Sequence, residues 1–312
     1  MASITYSIVV PVFNEGSVID ELLRRLLKVM DTFKEPFEVI FVDDGSSDDT
    51  FKKIAEWAGK REEVRALKFS RNFGHQIAIT AGIDSASGEA VIVMDGDLQH
   101  PPELIPEMIG EWRKGYNIIN TIRQETEGIP LKKKLFSKAF YKLINLDSEV
   151  LIQPDAADFR LMDRASCEAF KALREQDRFV RGLTSWIGFK QTNIPYRADA
   201  RHSGQSKYSF SKMLRFAING ITSFTTLPLK AVGVFGLIVA AISFIYAAYA
   251  LYVRLVLDIA VEGWTSLLMG VLFLGGVQLI SIGVLGAYIA RIFRQVKNRP
   301  LYIVQEKVGW KE

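Results

Sequence analysis

The chain has 312 residues, with 39 Lys and Arg against 35 Asp and Glu, a formal charge of +4 and a single cysteine. That length holds one large domain with something added, and the lone Cys167 excludes an internal disulfide and fits a reducing compartment. The mild positive balance suits the surface of an anionic membrane, and no nucleic-acid partner is expected.

In chain order, "YSIVVPVF" (Tyr6 to Phe13) is an apolar strand closed by Asn14. Ser17 opens a Ser-x-x-Asp pattern that resembles a capping box, and Ile19, Leu22, Leu23, Leu26 and Met30 form one helical face. "FEVIFVDDGSSDDT" repeats the plan: a strand from Phe37 to Val42, acidic residues at its end, a Gly-Ser turn, then a helix carrying Ile54 and Trp57. "VRALKFS" is a third strand, Gln76 to Ala86 reads as helix, and "EAVIVMDGD" is a fourth strand before a helix opening near Pro102 and Glu103. Such alternation implies right-handed crossovers and a mainly parallel sheet.

Ligands of such sheets sit beyond the carboxyl ends of the strands, where Asn14, Asp43, Asp44, Asp95 and Asp97 all fall. Four carboxylates at neighbouring strand ends repel one another unless a cation or ligand donors compensate. Hard oxygen ligands with room for water suit Mg²⁺ or Mn²⁺, which take their remaining ligands from phosphate. The chain has neither Gly-x-Gly-x-x-Gly nor Gly-Lys-Ser/Thr, the signatures of rival nucleotide sites. As a bare pattern, Asp-x-Asp also serves as a turn former; its place after an apolar strand and beside "VDDGSSDDT" favours the site. His75, His100 and His202 show no metal-ligand spacing and read as hydrogen-bonding turn residues. Trp186 and Trp264 read as packing or interface anchors.

Further along, "PLKKKLFSKAFYKLINL" sets Leu131, Leu135, Ala139 and Leu143 on one stripe against Lys132, Lys133, Lys134, Lys138 and Lys142. A helix of this kind lies either in a lipid headgroup layer or on the core with a solvated lysine face. "KYSFSKMLRFAINGITSF" (Lys207 to Phe224) leads directly into an apolar span and reads as interfacial. Ala231 to Val253 (23 residues) and Thr265 to Ala290 (26 residues) carry no formal charge; each exceeds the roughly 20 apolar residues a helix needs to cross a bilayer. Positive residues flank the pair: Lys207, Lys212, Arg215 and Lys230 before it, Arg291, Arg294, Lys297 and Arg299 after it. Both ends of the chain are therefore expected in the cytosol. The Gly283 and Ala287 pair permits close helix contact and points to a homo-oligomer.

Together "VVPVFNE", "VDDGSSDDT" and "DGDLQHPPE" resemble the inverting family-2 glycosyltransferases with a GT-A fold. With "DFRLMDR", "RHSGQSKYS" and the two spans, the resemblance narrows to polyprenyl-phosphate glycosyltransferases. It is near to the bacterial bactoprenol glucosyltransferases and more distant to dolichol-phosphate mannose synthase. The resemblance implies an integral protein of a bacterial-type inner membrane that moves a sugar from a nucleotide sugar, UDP-glucose favoured, to polyprenyl (undecaprenyl) phosphate at the cytosolic leaflet. GDP-mannose, UDP-galactose and a modified arabinose stay open as donors. The implied layout is a GT-A catalytic domain, α/β with a Rossmann-like sheet, over 1–205. Juxtamembrane interfacial helices follow over 206–230, a two-helix hairpin over 231–290 and a cytosolic tail over 291–312.

Position by position, the resemblance puts Pro11, Asn14, Glu15, Asp43, Asp44 and Asp95 around the nucleotide sugar, with Asp43 reading the base. It puts Asp95, Asp97 and Gln99 on the metal, and Asp158, Arg201 and Lys207 at the catalytic centre, Asp158 as the usual base. Arg123 and Ser206 fall toward the acceptor phosphate. A phosphate monoester has a second pKa of about 6, so an already ionised acceptor needs no strong base. Asp158 reads as a group that positions the donor sugar or supports developing charge, with a helix cap or a partner of Arg160 or Arg164 as the lesser alternative. A processive synthase is disfavoured because Gln-x-x-Arg-Trp is missing. A decayed, non-catalytic adaptor is disfavoured by the full acidic set, and a channel by spans with no charge inside them.

Overall fold

The computed structural model describes residues 4–124, 156–196, 226–256 and 263–310. The expected lysine-rich helix near 130–146, the stretch 207–224, and Arg201, Ser206 and Lys207 lie outside the described residues.

Two compact units result. The first alternates β1 (Tyr6–Val12), α1 (Ile19–Met30), β2 (Phe37–Asp43), α2 (Thr50–Ala58), β3 (Val64–Phe69), α3 (His75–Ser85) and β4 (Ala90–Val93). A 3₁₀ turn over Pro102–Leu104 leads into α4 (Ile105–Arg113) and β5 (Ile118–Arg123). Then come β6 (Ala156–Asp163), α5 (Arg164–Ala172), α6 (Val180–Trp186) and β7 (Gln191–Tyr196). An eighth strand, β8 (Val304–Val308), follows far along the chain.

The sheet runs β7-β5-β6-β4-β1-β2-β3-β8. Its centre, β4-β1-β2-β3, is parallel throughout, as the alternation requires. Antiparallel joins occur at β4–β6, β5–β6 and β3–β8. Side chains alternate across each strand, and both faces are buried. Ile8, Val10 and Val12 pack with Leu22, Leu26, Ile54 and Met108 on one side. Val9, Ile40, Val42 and Val93 pack with Ile79, Phe170 and Leu183 on the other. The result is a three-layer α/β/α domain with β1 at its middle. Helix α3 approaches β1 so closely that a Cβ on Gly82 would stand 2.1 Å from Val9 Cγ1.

The stripe Ile19, Leu22, Leu23, Leu26 and Met30 is fully buried, as its spacing predicts. The capping box is not formed. Helix α1 begins at Ile19, and its flanking residue Val18 is helical without a side-chain cap. The chain enters through a turn in which the Val18 amide donates to the Glu15 carbonyl (3.0 Å). Asp20 is drawn away by α2: it accepts from Trp57 Nε1 at 2.9 Å and lies 3.5 Å from Lys53 Nζ. Residues 304–308, read from the sequence only as part of a tail, form an edge strand, because Val304 and Val308 pack on the core while Gln305, Glu306 and Lys307 face solvent.

The second unit holds α7 (Leu227–Val256) and α8 (Trp264–Val296). Within them Leu227–Ala250 and Met269–Val296, with mean hydropathies of 2.3 and 2.0, are long and apolar enough to cross a membrane. Leu237, Phe244 and Leu279 stand exposed along them. Apolar surface on this scale is costly in water.

Candidate active site

The carboxyl ends of β1, β2 and β4 come side by side, since Val12 pairs with Asp43 and Val9 with Val93. At the end of β1, Asn14 takes a left-handed backbone (φ 56°). This turns its side chain onto the β2 loop: Oδ1 accepts from the Ser47 amide (2.9 Å), and the Asn14 amide donates to Ser46 Oγ (2.9 Å). The amides of Glu15 and Gly16 donate to Thr50 Oγ1 (2.9 Å) and Asp48 Oδ2 (3.1 Å). "NEG" and "GSSDDT" are thus two halves of one loop pair. Pro11 is buried in the strand behind them, and Phe13 is 46% exposed in front.

Asp43 and Asp44 have opposite surroundings. Asp43 is fully buried; its Oδ1 accepts the Ser46 amide (2.8 Å), and its Oδ2 is buried without a hydrogen-bond partner among the described residues. Burial pushes its carboxyl up, against the pull of Ser46. Asp44, expected beside the nucleotide, faces the loop after β3. It takes the Phe73 amide at 2.6 Å and the Gly74 amide at 2.9 Å, and so fixes the start of α3.

After β4 the chain makes a tight turn. Gly96 lies against β1, where a Cβ would meet Val12 Cγ1 at 2.7 Å. Leu98 is left-handed (φ 62°) although buried, a conformation that costs a branched residue about 1–2 kcal/mol. The turn returns His100 beneath Asp95, whose amide donates to His100 Nδ1 (2.9 Å). That nitrogen therefore carries no proton, and its 3.6 Å approach to Asp95 Oδ2 is not an ion pair. His100 is held in the core by stacking on Phe159 (5.1 Å between centroids) and edge contact with Tyr196. Gln99 donates its amide to Asp97 Oδ1 (3.1 Å).

Opposite this turn stands a charged network. Arg181 on α6 grips Asp158 of β6 with two bonds, Nε to Oδ1 at 2.9 Å and Nη2 to Oδ2 at 3.2 Å. The fully buried Arg160 reaches Asp158 at 3.4 Å, as does Gln76 Nε2. Arg164, the other partner considered for Asp158, turns away to the Ala86 carbonyl and Glu168. Burial alone would raise the Asp158 carboxyl, but Arg181 and then Arg160 hold it well below the usual carboxylate range. His75 bridges the two halves, with Nε2 3.2 Å from Asp95 Oδ1 and 3.8 Å from Asp158 Oδ2. The nearer approach sets the imidazole against Asp95 Oδ1, a buried oxygen. Burial would lower the His75 imidazole, but Asp95 and Asp158 raise it.

Arg123 ends β5, exposed, in register with Tyr196. Burial pushes the Tyr196 hydroxyl up to about 12 against the pull of the Arg123 guanidinium. His75, Gln76 and Arg181 are the residues of this network that sequence reading missed, whereas Arg160 was named there as a partner of Asp158. His75 had one available signal: it follows the third parallel strand, as the acidic residues follow the second and fourth. Arg181, in "DRFVRGL", carried none.

Asp95 and Asp97 offer hard oxygens at the end of β4, with the His75 imidazole 3.2 Å from Asp95 Oδ1. Among the described residues no three His, Cys, Asp or Glu side chains gather as a metal cage. The donor set fits a small divalent cation that completes its shell with phosphate and water.

This fold and strand-end site define a glycosyltransferase. The model of glycosyl transferase family 2 matches residues 7–170, and the chain belongs to that family. It is similar over nearly its whole length to an uncharacterized glycosyltransferase of Bacillus subtilis (46% identity, covering 98% of this chain and 95% of that one). It is likewise similar to an uncharacterized glycosyltransferase of Synechocystis (43%, 98% and 96%). The bactoprenol glucosyl transferase of Shigella phage SfII is 42% identical, covering 96% of this chain and 97% of that protein.

Proposed function

We propose that the chain transfers a hexose, glucose first among candidates, from a uridine diphosphate sugar to a polyprenyl phosphate, with inversion at the anomeric carbon. The observation that carries the donor half is the orphaned Asp43 Oδ2. With Oδ1 already engaged by Ser46, the one unpartnered acceptor matches the single imide N–H of uracil. Guanine presents two adjacent donors and would ask for both oxygens. The exposed ring of Phe13 supplies a face for the base to stack on. The acceptor half is supported by the bactoprenol glucosyl transferase relative and by the two apolar helices.

In this reading Asp95, Asp97 and Gln99 hold Mg²⁺ or Mn²⁺, which supplies charge neutralisation for the departing diphosphate. A lipid phosphate oxygen attacks the anomeric carbon from the face opposite the diphosphate; the bond to phosphate breaks and its electrons leave with UDP. The acceptor arrives ionised, so no proton has to be removed. A carboxylate held as firmly in its charged form as Asp158 is a weak proton acceptor. Its role is to orient Arg181 and His75 and to offset positive charge developing on the sugar ring. Arg123 is assigned to the acceptor phosphate. Arg201, Ser206 and Lys207 keep the roles the sequence gives them, at the phosphates of donor and acceptor.

The chain enters α7 from the sheet domain and returns from α8 to the same sheet through β8. Two crossings bring it back to the side it left, and the positive flanks put that side in the cytosol. The deciding experiment incubates purified protein and undecaprenyl phosphate with labelled UDP-glucose, UDP-galactose, GDP-mannose and a UDP-modified arabinose, with and without EDTA. Glucosyl lipid formed only without EDTA is expected. Mannosyl lipid would overturn the reading of Asp43, and no lipid product with any donor would favour an adaptor.

A further inference from the structure

The segment after α8 makes a set of contacts that the transfer reaction does not itself require. The Arg299 carbonyl accepts from Gln176 Nε2 (2.6 Å), and the Ser70 amide donates to the Ile303 carbonyl (3.0 Å). Between these points Tyr302 is set with unusual definition. Its ring stacks on Phe69 (5.2 Å between centroids, 18° between planes), and its hydroxyl donates to Asp84 Oδ2 (3.0 Å), which Arg174 also grips at 2.7 Å. Phe69 in turn meets Phe73 edge-on at 5.6 Å. The Phe73 amide is one of the two that Asp44 fixes, and His75, two residues on, stands between Asp95 and Asp158.

Sequence alone gives no reason for an aromatic at 302, and an edge strand can be sealed without one. The flat stack on Phe69 and the amide bond at Ser70 bear on the start of the loop after β3, while the hydroxyl bond ties the same ring to Asp84 on α3. On its opposite side the same stretch is anchored by the Asp44 carboxylate, so it is held between the donor site and the Tyr302 ring.

We propose that the segment after α8 is a strut of the donor site, and that Tyr302 is a positioning residue. Through Phe69 and Phe73 it holds loop 70–74 so that His75 meets Asp95 and the β2 end keeps its shape. Tyr302 touches no substrate; it acts on donor binding and leaves the lipid acceptor alone. The inference rests on the donor site proposed above, so its test carries one arm that needs no turnover.

The test uses the full chain in lipid nanodiscs, as wild type, Tyr302→Leu and Tyr302→Phe. Tyr302→Leu keeps apolar bulk but loses the ring stack. It is expected to raise KM for the nucleotide sugar about fivefold, the scale of one aromatic pair, with KM for undecaprenyl phosphate unchanged. Tyr302→Phe, which keeps the ring, is expected to stay within about twofold of wild type. Amide exchange read by mass spectrometry is expected to speed up over residues 70–76 in Tyr302→Leu and to stay unchanged over β1, β2 and β4. An unchanged donor KM, or exchange accelerated throughout the sheet with both KM values rising, would overturn the proposal. If wild type turns over no nucleotide sugar, the donor-site reading has failed, and the exchange arm alone decides whether the strut exists.

Discussion

The two halves of the active site are built by different rules. The half around Asn14, Asp43 and Asp95 is made of strand ends that the parallel topology brings together, and its contacts join residues of three short motifs. The half around Asp158 draws on β6, α6 and the first turn of α3, with partners 23 and 82 residues away in sequence. The first keeps carboxylate oxygens open and buried, which is costly unless something binds them. The second pairs its buried carboxylate, which fixes geometry and leaves little capacity to bind. A site that seizes an anion through a cation needs both: an unsatisfied edge and a rigid back wall.

This contrast can be broken at several points. Asp95→Asn, which weakens the hard-oxygen set, is expected to lower turnover about a thousandfold with the fold retained. Single-turnover assays together with circular dichroism check it, and activity near wild type would remove Asp95 from the reaction. Asp43→Ala should raise the donor KM about thirtyfold with kcat little changed, the value of one hydrogen bond to a charged group. A matched fall in kcat would mean the group acts in the transition state and not on the base.

The back wall should behave as a coupled unit. Arg181→Ala leaves a buried carboxylate short of its main partner and is expected to cost about 2 kcal/mol, discounted for the guanidinium's partial exposure. Asp158→Asn in the same background should recover part of that loss, as read by chemical unfolding in detergent; strict additivity would show that the pair does not couple. The pH arm has a definite sign. A carboxyl depressed in the folded state stabilises above its unfolded value, and that stability is lost as pH falls through the folded one. Asp158→Asn should therefore lose less stability than wild type on acidification below about pH 4. The smallest effect is at Cys167, which is fully buried with its thiol pushed up to about 12 by burial. Native protein at neutral pH should resist alkylation and label only on unfolding. Ready labelling would show that the β6–α5 layer opens.

The legibility of the molecule follows the same division. Strand ends are local: an apolar run that stops at Asp43 or Asp95 announces both the strand and the site. Alternation then fixes the parallel order, so the centre of the sheet is readable in advance. Asp44 is not, because sequence shows that a carboxylate stands at a strand end but not which way it points, and Asp44 points at Phe73. Arg181 and His75 are invisible because their significance lies in which distant carboxylate they meet. β8 escapes notice because a five-residue strand with three polar residues in a charged tail has no periodicity to set it apart.

The late position of β8 also orders the birth of the protein. The outer edge of β3 stays open until Val304–Val308 have been synthesised, and by then both apolar helices have already been made. The sheet therefore closes only after both apolar helices exist, and a chain released before residue 304 would leave the outer edge of β3 unpaired. Completion of the enzyme thus waits on the ribosome passing the codons of β8.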